Sequence, residues 1–77
     1  MNYKQKYIEY FDYTPDENIL CEVCGKVAVD IHHIVFRSQG GTDDIDNLIG
    51  VCRTCHDKAH NERISKEFLK EIVKKRE

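Results

Sequence analysis

The sequence predicts a small α+β fold on three observations: two short runs rich in β-branched residues, helical periodicity at both ends of the chain, and four cysteines set as two Cys-x-x-Cys pairs. The chain has 77 residues and is 40% hydrophobic, 34% charged and free of tryptophan. A domain of this size buries only about 60% of the surface that its unfolded chain exposes, so a covalent or metal staple is expected. Four cysteines and four histidines are where such a staple would come from.

Taken in order, Tyr3, Tyr7, Ile8, Tyr10 and Phe11 follow helical spacing and predict a short amphipathic helix. Its aromatic rings are expected to pack on the metal-stapled core; stacking on nucleic acid is the other use for them. Thr14-Pro15-Asp16-Glu17 combines a cap, a proline at the first position and an acid three residues after the cap, and marks a turn. Val27 to Phe36 interleaves β-branched and polar residues and predicts a strand, which Ser38 to Asp44 breaks as a loop. Leu48-Ile49-Gly50-Val51 predicts a second strand returning beside the first, and Arg53 to Asn61 a helix directly after it. The last segment sets Ile64, Phe68, Leu69, Ile72 and Val73 on one side and Lys66, Lys70 and Lys74 on another, with Ser65 as cap. Those lysines read either as a solvated face or as a ridge that meets phosphates. The expected organisation is one domain over residues 1–77: helix and turn over 1–20, a stapled core over 21–61, and an amphipathic helix over 62–77.

Charge and hydropathy exclude several classes. No apolar stretch approaches the roughly 18 residues of a membrane span, and Met1-Asn2-Tyr3-Lys4 opens no secretory signal, so a cytoplasmic protein is expected. The formal charge is −2, which gives no global basic footprint for nucleic acid. Only residues 61–77 are net positive, with six Lys or Arg against four acids, so a nucleic-acid partner would be held locally.

Cys21-x-x-Cys24 and Cys52-x-x-Cys55 are two knuckles separated by 27 residues. Each tight turn can present two thiolates to one ion, and Gly25 relieves the backbone after the first. Four sulfurs at about 2.3 Å make the closed tetrahedral shell of a structural zinc, with no open position for chemistry. Binding worth about 10–16 kcal/mol would supply the stability that the small core lacks. A thioredoxin-like redox pair fits less well, because that motif wants one Cys-x-x-Cys in a larger parallel-sheet domain.

The four histidines fall as His32-His33 on the first strand and His56 and His60 on the helix. Positions 56 and 60 share a helix face and can ligate one ion, on a helix anchored by Cys55. An ion held by neutral imidazoles, with positions left open, suits phosphodiester hydrolysis, and a further histidine suits the base that deprotonates water. His32 and His33 point to opposite sides of a regular strand, so one ligand and one non-ligand is the natural division; spacing does not say which. Asn47, between the glycine loop and the second strand, reads either as a brace bonding backbone groups across the loop or as an ordinary turn residue.

The combination resembles the HNH family of nucleases. The likeness rests on Cys21-Glu22-Val23-Cys24-Gly25, Asp30-Ile31-His32-His33-Ile34-Val35, Arg37-Ser38-Gln39-Gly40-Gly41, Asp46-Asn47-Leu48 and Cys52-Arg53-Thr54-Cys55-His56, over about residues 20–60. It implies a ββα-metal (His-Me finger) core with flanking helices. It further implies His33 as general base, Asn47 as loop brace, and His32 and His56 as ligands of a catalytic divalent ion (Mg2+, Mn2+, Ni2+ or Zn2+). His60 matches an extra ligand of the colicin-type branch, Asp30 an acid that orients one histidine, and Arg37 a phosphate clamp. The resemblance implies an endonuclease acting on DNA, akin to small phage and bacterial HNH proteins, some of which work beside a packaging terminase or another specificity partner. The rival is a non-catalytic zinc module that binds nucleic acid or protein through the C-terminal lysines.

Overall fold

The computed structural model describes residues 2–76; Met1 and Glu77, the ends of the expected domain, lie outside the described residues. Helix α1 (Tyr3–Phe11) starts at Asn2, whose Oδ1 accepts the Gln5 N–H at 2.8 Å, and stops at Asp12 in the left-handed region, φ 59°. The Thr14 turn is closed reciprocally: Glu17 N–H donates to the Thr14 carbonyl at 3.1 Å, and Thr14 N–H donates to Glu17 Oε1 at 2.8 Å.

Strands β1 (Asp30–His33) and β2 (Leu48–Val51) pair antiparallel, with His32 opposite Ile49 and His33 opposite Leu48. Helix α2 (Arg53–His60) follows after Cys52 alone, completing the ββα unit, and α3 (Lys66–Lys74) starts at its Ser65 cap. The first strand is shorter than the Val27–Phe36 run predicts. At its start Val27 turns aside to bridge Leu20; at its end Asn47 takes over the backbone groups of Val35, so pairing with β2 stops at His33.

Alternation along the strands sorts the interior into two layers. One face of the hairpin sends Ile49 and Val51 towards Cys21, Cys52, Cys55, Ala59 and Leu69, with Ile34 joining them from beyond β1. The other face sends Ile31 and Leu48 towards Tyr7, with Tyr3, Phe11 and Tyr13 packed around them. The aromatic stripe of α1 therefore packs on the side of the hairpin away from the cysteines, not on the cysteine core as expected. Fully buried Ile34, Leu48, Ile49, Val51 and Leu69 contribute on the order of 1.5–3 kcal/mol each. On α3, Leu69 is buried, but Phe68 stays about half exposed, so the apolar stripe is narrower than the sequence pattern.

Arg76 turns inward rather than merely ending α3. Its guanidinium bonds Glu22 and the carbonyls of Ile45 and Leu48, and lies over the Phe11 ring, 5.1 Å from the centroid. Among the described residues no helix is long and apolar enough to cross a membrane.

Candidate functional site

The cysteine cluster is assembled from both knuckles. Gly25 adopts φ +85°, a conformation that side chains resist, and its N–H returns to the Cys21 carbonyl at 2.9 Å, closing the first turn. Cys52 caps α2 with its sulfur, which accepts the Cys55 N–H at 3.5 Å and is drawn by that bond to a pKa of about 7. All four Sγ atoms lie within 4.8 Å of one another, and Cys24 and Cys52 are 3.6 Å apart. Sulfurs bound at 2.3 Å to one tetrahedral ion stand about 3.8 Å apart, so this donor set fits such an ion.

A second donor set lies where β1 meets α2. The ring nitrogens of His32, His56 and His60 also fall within 4.8 Å of one another, with Nε2 of His56 and His60 3.0 Å apart. His32 is buried from the strand side, and the two helix imidazoles close over it from successive turns of α2. Burial first, then the neighbouring His56 and His60, depress the His32 pKa to about 4, so the ring stays neutral as a ligand must. Asp30 Oδ2 stands 3.5 Å from His56 Nε2, beside the cluster and outside its ligand set. The Phe36 ring stacks on His60, centroids 5.5 Å apart, and covers the outer side.

His33 faces the other way, as alternation requires, yet borders the same open cleft of ≈ 250 Å³ as the three imidazoles, Asp30, Arg37 and Tyr3. Its Nε2 lies 2.8 Å from Asp43 Oδ1, and the Arg37 guanidinium donates to Asp43 Oδ2 at 2.9 Å. The His33 bond and the Arg37 charge hold the Asp43 carboxyl below the usual carboxylate range. Tyr3 meets the His33 ring edge-on, centroids 4.6 Å apart. A larger groove of ≈ 480 Å³ runs between α1 and the Thr14 turn, but no histidine or cysteine lines it.

Asn47 lies outside the cleft and uses its whole side chain on backbone. Oδ1 accepts the Val35 N–H at 2.8 Å; Nδ2 donates to the carbonyls of Val35 at 3.0 Å and Thr42 at 2.8 Å. Gly41 makes this possible: a Cβ there would stand 1.8 Å from the Val35 carbonyl oxygen, so only glycine lets the loop lie so close. The carboxylate that the loop delivers, Asp43, carried no signal beyond an acid after Gly40-Gly41-Thr42. Tyr3 and Phe36 were equally silent, being distant in sequence or outside any motif.

The site residues thus form three groups: four sulfurs, three imidazoles, and His33 with Asp43 and Arg37, the last held by a loop that Asn47 ties down. The HNH endonuclease family description matches residues 21–62, more than half of the chain. The chain belongs to the HNH endonuclease family. The matched stretch runs from the first knuckle to the end of α2, so this HNH chain has a ββα-metal core with α1 and α3 outside it. Similar proteins include the type IV methyl-directed restriction enzyme EcoKMcrA of Escherichia coli K12, 33% identical over 60 residues, or 65% of this chain and 22% of that enzyme. Anaredoxin of Nostoc sp. is 39% identical over 46 residues, 57% of this chain and 60% of that protein. Probable mobile endonuclease C of Enterobacteria phage T4 is 44% identical over 36 residues, 47% of this chain and 17% of that protein. The chain therefore spans less than two thirds of each of these relatives.

Proposed function

We propose that this HNH protein is a divalent-metal-dependent endonuclease that hydrolyses DNA phosphodiester bonds, leaving 5′-phosphate and 3′-hydroxyl ends. The observation that carries the reading is the meeting of two unlike groups at one cleft: three imidazole nitrogens within 4.8 Å of one another, and His33 on the adjoining wall. The names of two relatives, a restriction enzyme and a mobile endonuclease, favour DNA as substrate. In this reading Cys21, Cys24, Cys52 and Cys55 hold a structural zinc, which fits reduced thiols inside a bacterial or phage-infected cell.

His32, His56 and His60 would hold the catalytic cation; when bound, it supplies Lewis-acid stabilisation of phosphate charge and of the leaving oxygen. The remaining work belongs to the chain. His33 takes a proton from the attacking water at the ring nitrogen free of Asp43, the water oxygen bonds to phosphorus, and the bond from phosphorus to the 3′ oxygen breaks, the leaving oxygen taking a proton from solvent at the open cleft. Arg37, two-thirds exposed at the cleft mouth, binds a non-bridging phosphate oxygen; one nitrogen on Asp43 leaves its other donors free. Asp30, with Oδ2 3.5 Å from His56 Nε2, adds negative charge beside the three imidazoles that favours a bound cation, and Asn47 fixes the loop.

With a net charge of −2, affinity for DNA at large is weak, and a specificity partner such as a phage terminase would bring the substrate. The test is nicking of supercoiled plasmid during a metal titration. His33→Ala is expected to slow cleavage by about 10²–10⁴-fold, the usual worth of a positioned base, and His56→Ala to abolish the response to metal. Unchanged metal-dependent nicking in both variants would overturn the assignment of these residues; no metal-dependent nicking by the parent would return the chain to the rival reading, a non-catalytic zinc module acting through the lysines of α3.

A further inference from the structure

One contact of the cleft has no task in that hydrolysis. Asp43 sits in a loop fastened at several points: Asn47 holds the Thr42 carbonyl, the Gly41 N–H donates to the Phe36 carbonyl at 2.9 Å, and the Thr42 hydroxyl bonds Asp44. All of this delivers one carboxylate to one ring nitrogen, Nε2 of His33, at 2.8 Å. An ionised carboxylate only accepts hydrogen bonds, so the nitrogen facing it must carry the proton. In the neutral ring the other nitrogen, Nδ1, then has its lone pair open and is the atom able to take a proton from water.

We propose that Asp43 is a positioning residue that holds neutral His33 in the Nε2–H tautomer, so that Nδ1 serves as the base; the proposal rests on the assignment of His33 as base. Asp43 does not take up the proton. His33 gains it at Nδ1 and keeps its Nε2–H on the carboxylate, which then faces an imidazolium and stabilises it. Arg37 sharpens the requirement, because it occupies the second oxygen of the same carboxylate, Oδ2, at 2.9 Å.

That arrangement makes asparagine a worse replacement than alanine. The side chain introduced by Asp43→Asn has a single acceptor oxygen, and Arg37, which can only donate, would claim it. The amide NH2 would then face His33 Nε2 and donate to it, forcing the proton to Nδ1 and blocking the base. Alanine leaves both tautomers accessible.

The test reads the tautomer directly, by 15N NMR of the histidine rings in the zinc-loaded chain at alkaline pH, where neutral imidazole dominates. The parent is expected to show His33 protonated at Nε2, Asp43→Asn protonated at Nδ1, and Asp43→Ala a mixture. Arg37→Ala combined with Asp43→Asn should return signal towards Nε2–H, since the amide oxygen is then free to turn to His33. In nicking assays Asp43→Asn should lower kcat by about 10–100-fold with KM little changed, and more than Asp43→Ala does. Asp46→Asn, which removes an exposed charge close by in the chain without touching His33 or the fastenings of the loop, should match the parent. An unchanged His33 tautomer in Asp43→Asn, together with full-rate cleavage while His33→Ala is inactive, overturns this proposal and leaves the base assignment standing. Full-rate cleavage by His33→Ala overturns both.

Discussion

Glu22 and Arg76, 54 positions apart, meet in a two-pronged ion pair: Arg76 Nε donates to Oε1 at 2.9 Å and Nη2 to Oε2 at 2.7 Å. The pair ties the first cysteine knuckle to the segment after α3. Glu22 also accepts the Tyr7 hydroxyl, whose pKa is raised by burial and then by Glu22, so the hydroxyl remains a donor. Tyr7 Oη in turn accepts the Gly50 N–H at 3.1 Å, which brings α1, the knuckle, β2 and the chain end to one point.

Arg76→Ala is therefore expected to destabilise the fold well beyond the loss of a surface charge. Both side chains of the pair are largely buried, and removing one partner strands the other; the usual cost is about 3–5 kcal/mol. For a domain of this size that corresponds to a fall in Tm of more than about 10 °C, readable by circular dichroism. Arg76→Lys should recover only part, because a point charge cannot reproduce the fork. A change of only a few degrees in Arg76→Ala would show that the pair carries little stability.

Asn47→Ala should loosen the loop without unfolding the core. It removes three hydrogen bonds to the backbone of Val35 and Thr42. The expected result is faster amide exchange at Val35 and nicking slower by about 10–100-fold, the range typical of groups that orient site residues. Asn47→Asp should fail similarly, because a carboxylate cannot donate to the two carbonyls. Parent-like exchange and rate in both variants would contradict the brace.

Metal removal should separate the two donor sets. Strong chelation, or Cys52→Ser, is expected to abolish the cooperative thermal transition, because structural zinc sites of this kind contribute folding free energy outright. Mild chelation of the imidazole set should leave the transition in place and stop only cleavage. Loss of the transition under mild chelation would contradict a division of labour.

Stability should also fall on acidification through the histidine range. His32 is held at about 4 against an ordinary 6.5, so between these values the unfolded chain binds a proton that the folded chain refuses. Its contribution is fully present above pH 6.5, declines as pH falls, and is lost below about 4, with a slope of up to one proton. Thermal melts across this window in the parent and in His32→Leu test it: the variant should show the shallower dependence, and equal slopes would contradict the assignment.

The sequence carried those features whose signal is local. Cys-x-x-Cys spacing, the four-residue step from His56 to His60, the Ser65 cap and the strand alternation each follow from a few adjacent residues, and the structure assembles them as read. The placement of α1 was not legible. Its aromatic stripe says that it packs, while the register of β1 against β2 decides on which face of the hairpin. Asp43 and Arg76 were missed for the same reason, since each acts through a loop or chain end whose path depends on distant contacts. The length of β1 was overread because β-branched composition cannot show that Asn47 will take the Val35 backbone away from the ladder.

The most direct measurement is the number of metal ions per chain, by elemental analysis of fully loaded protein with spectroscopy to locate each ion. The account predicts two: one held by sulfur that resists mild chelation, and one held by imidazole that exchanges and disappears in His56→Ala. A single sulfur-bound ion in both the parent and His56→Ala, with none beside the histidines, would contradict it.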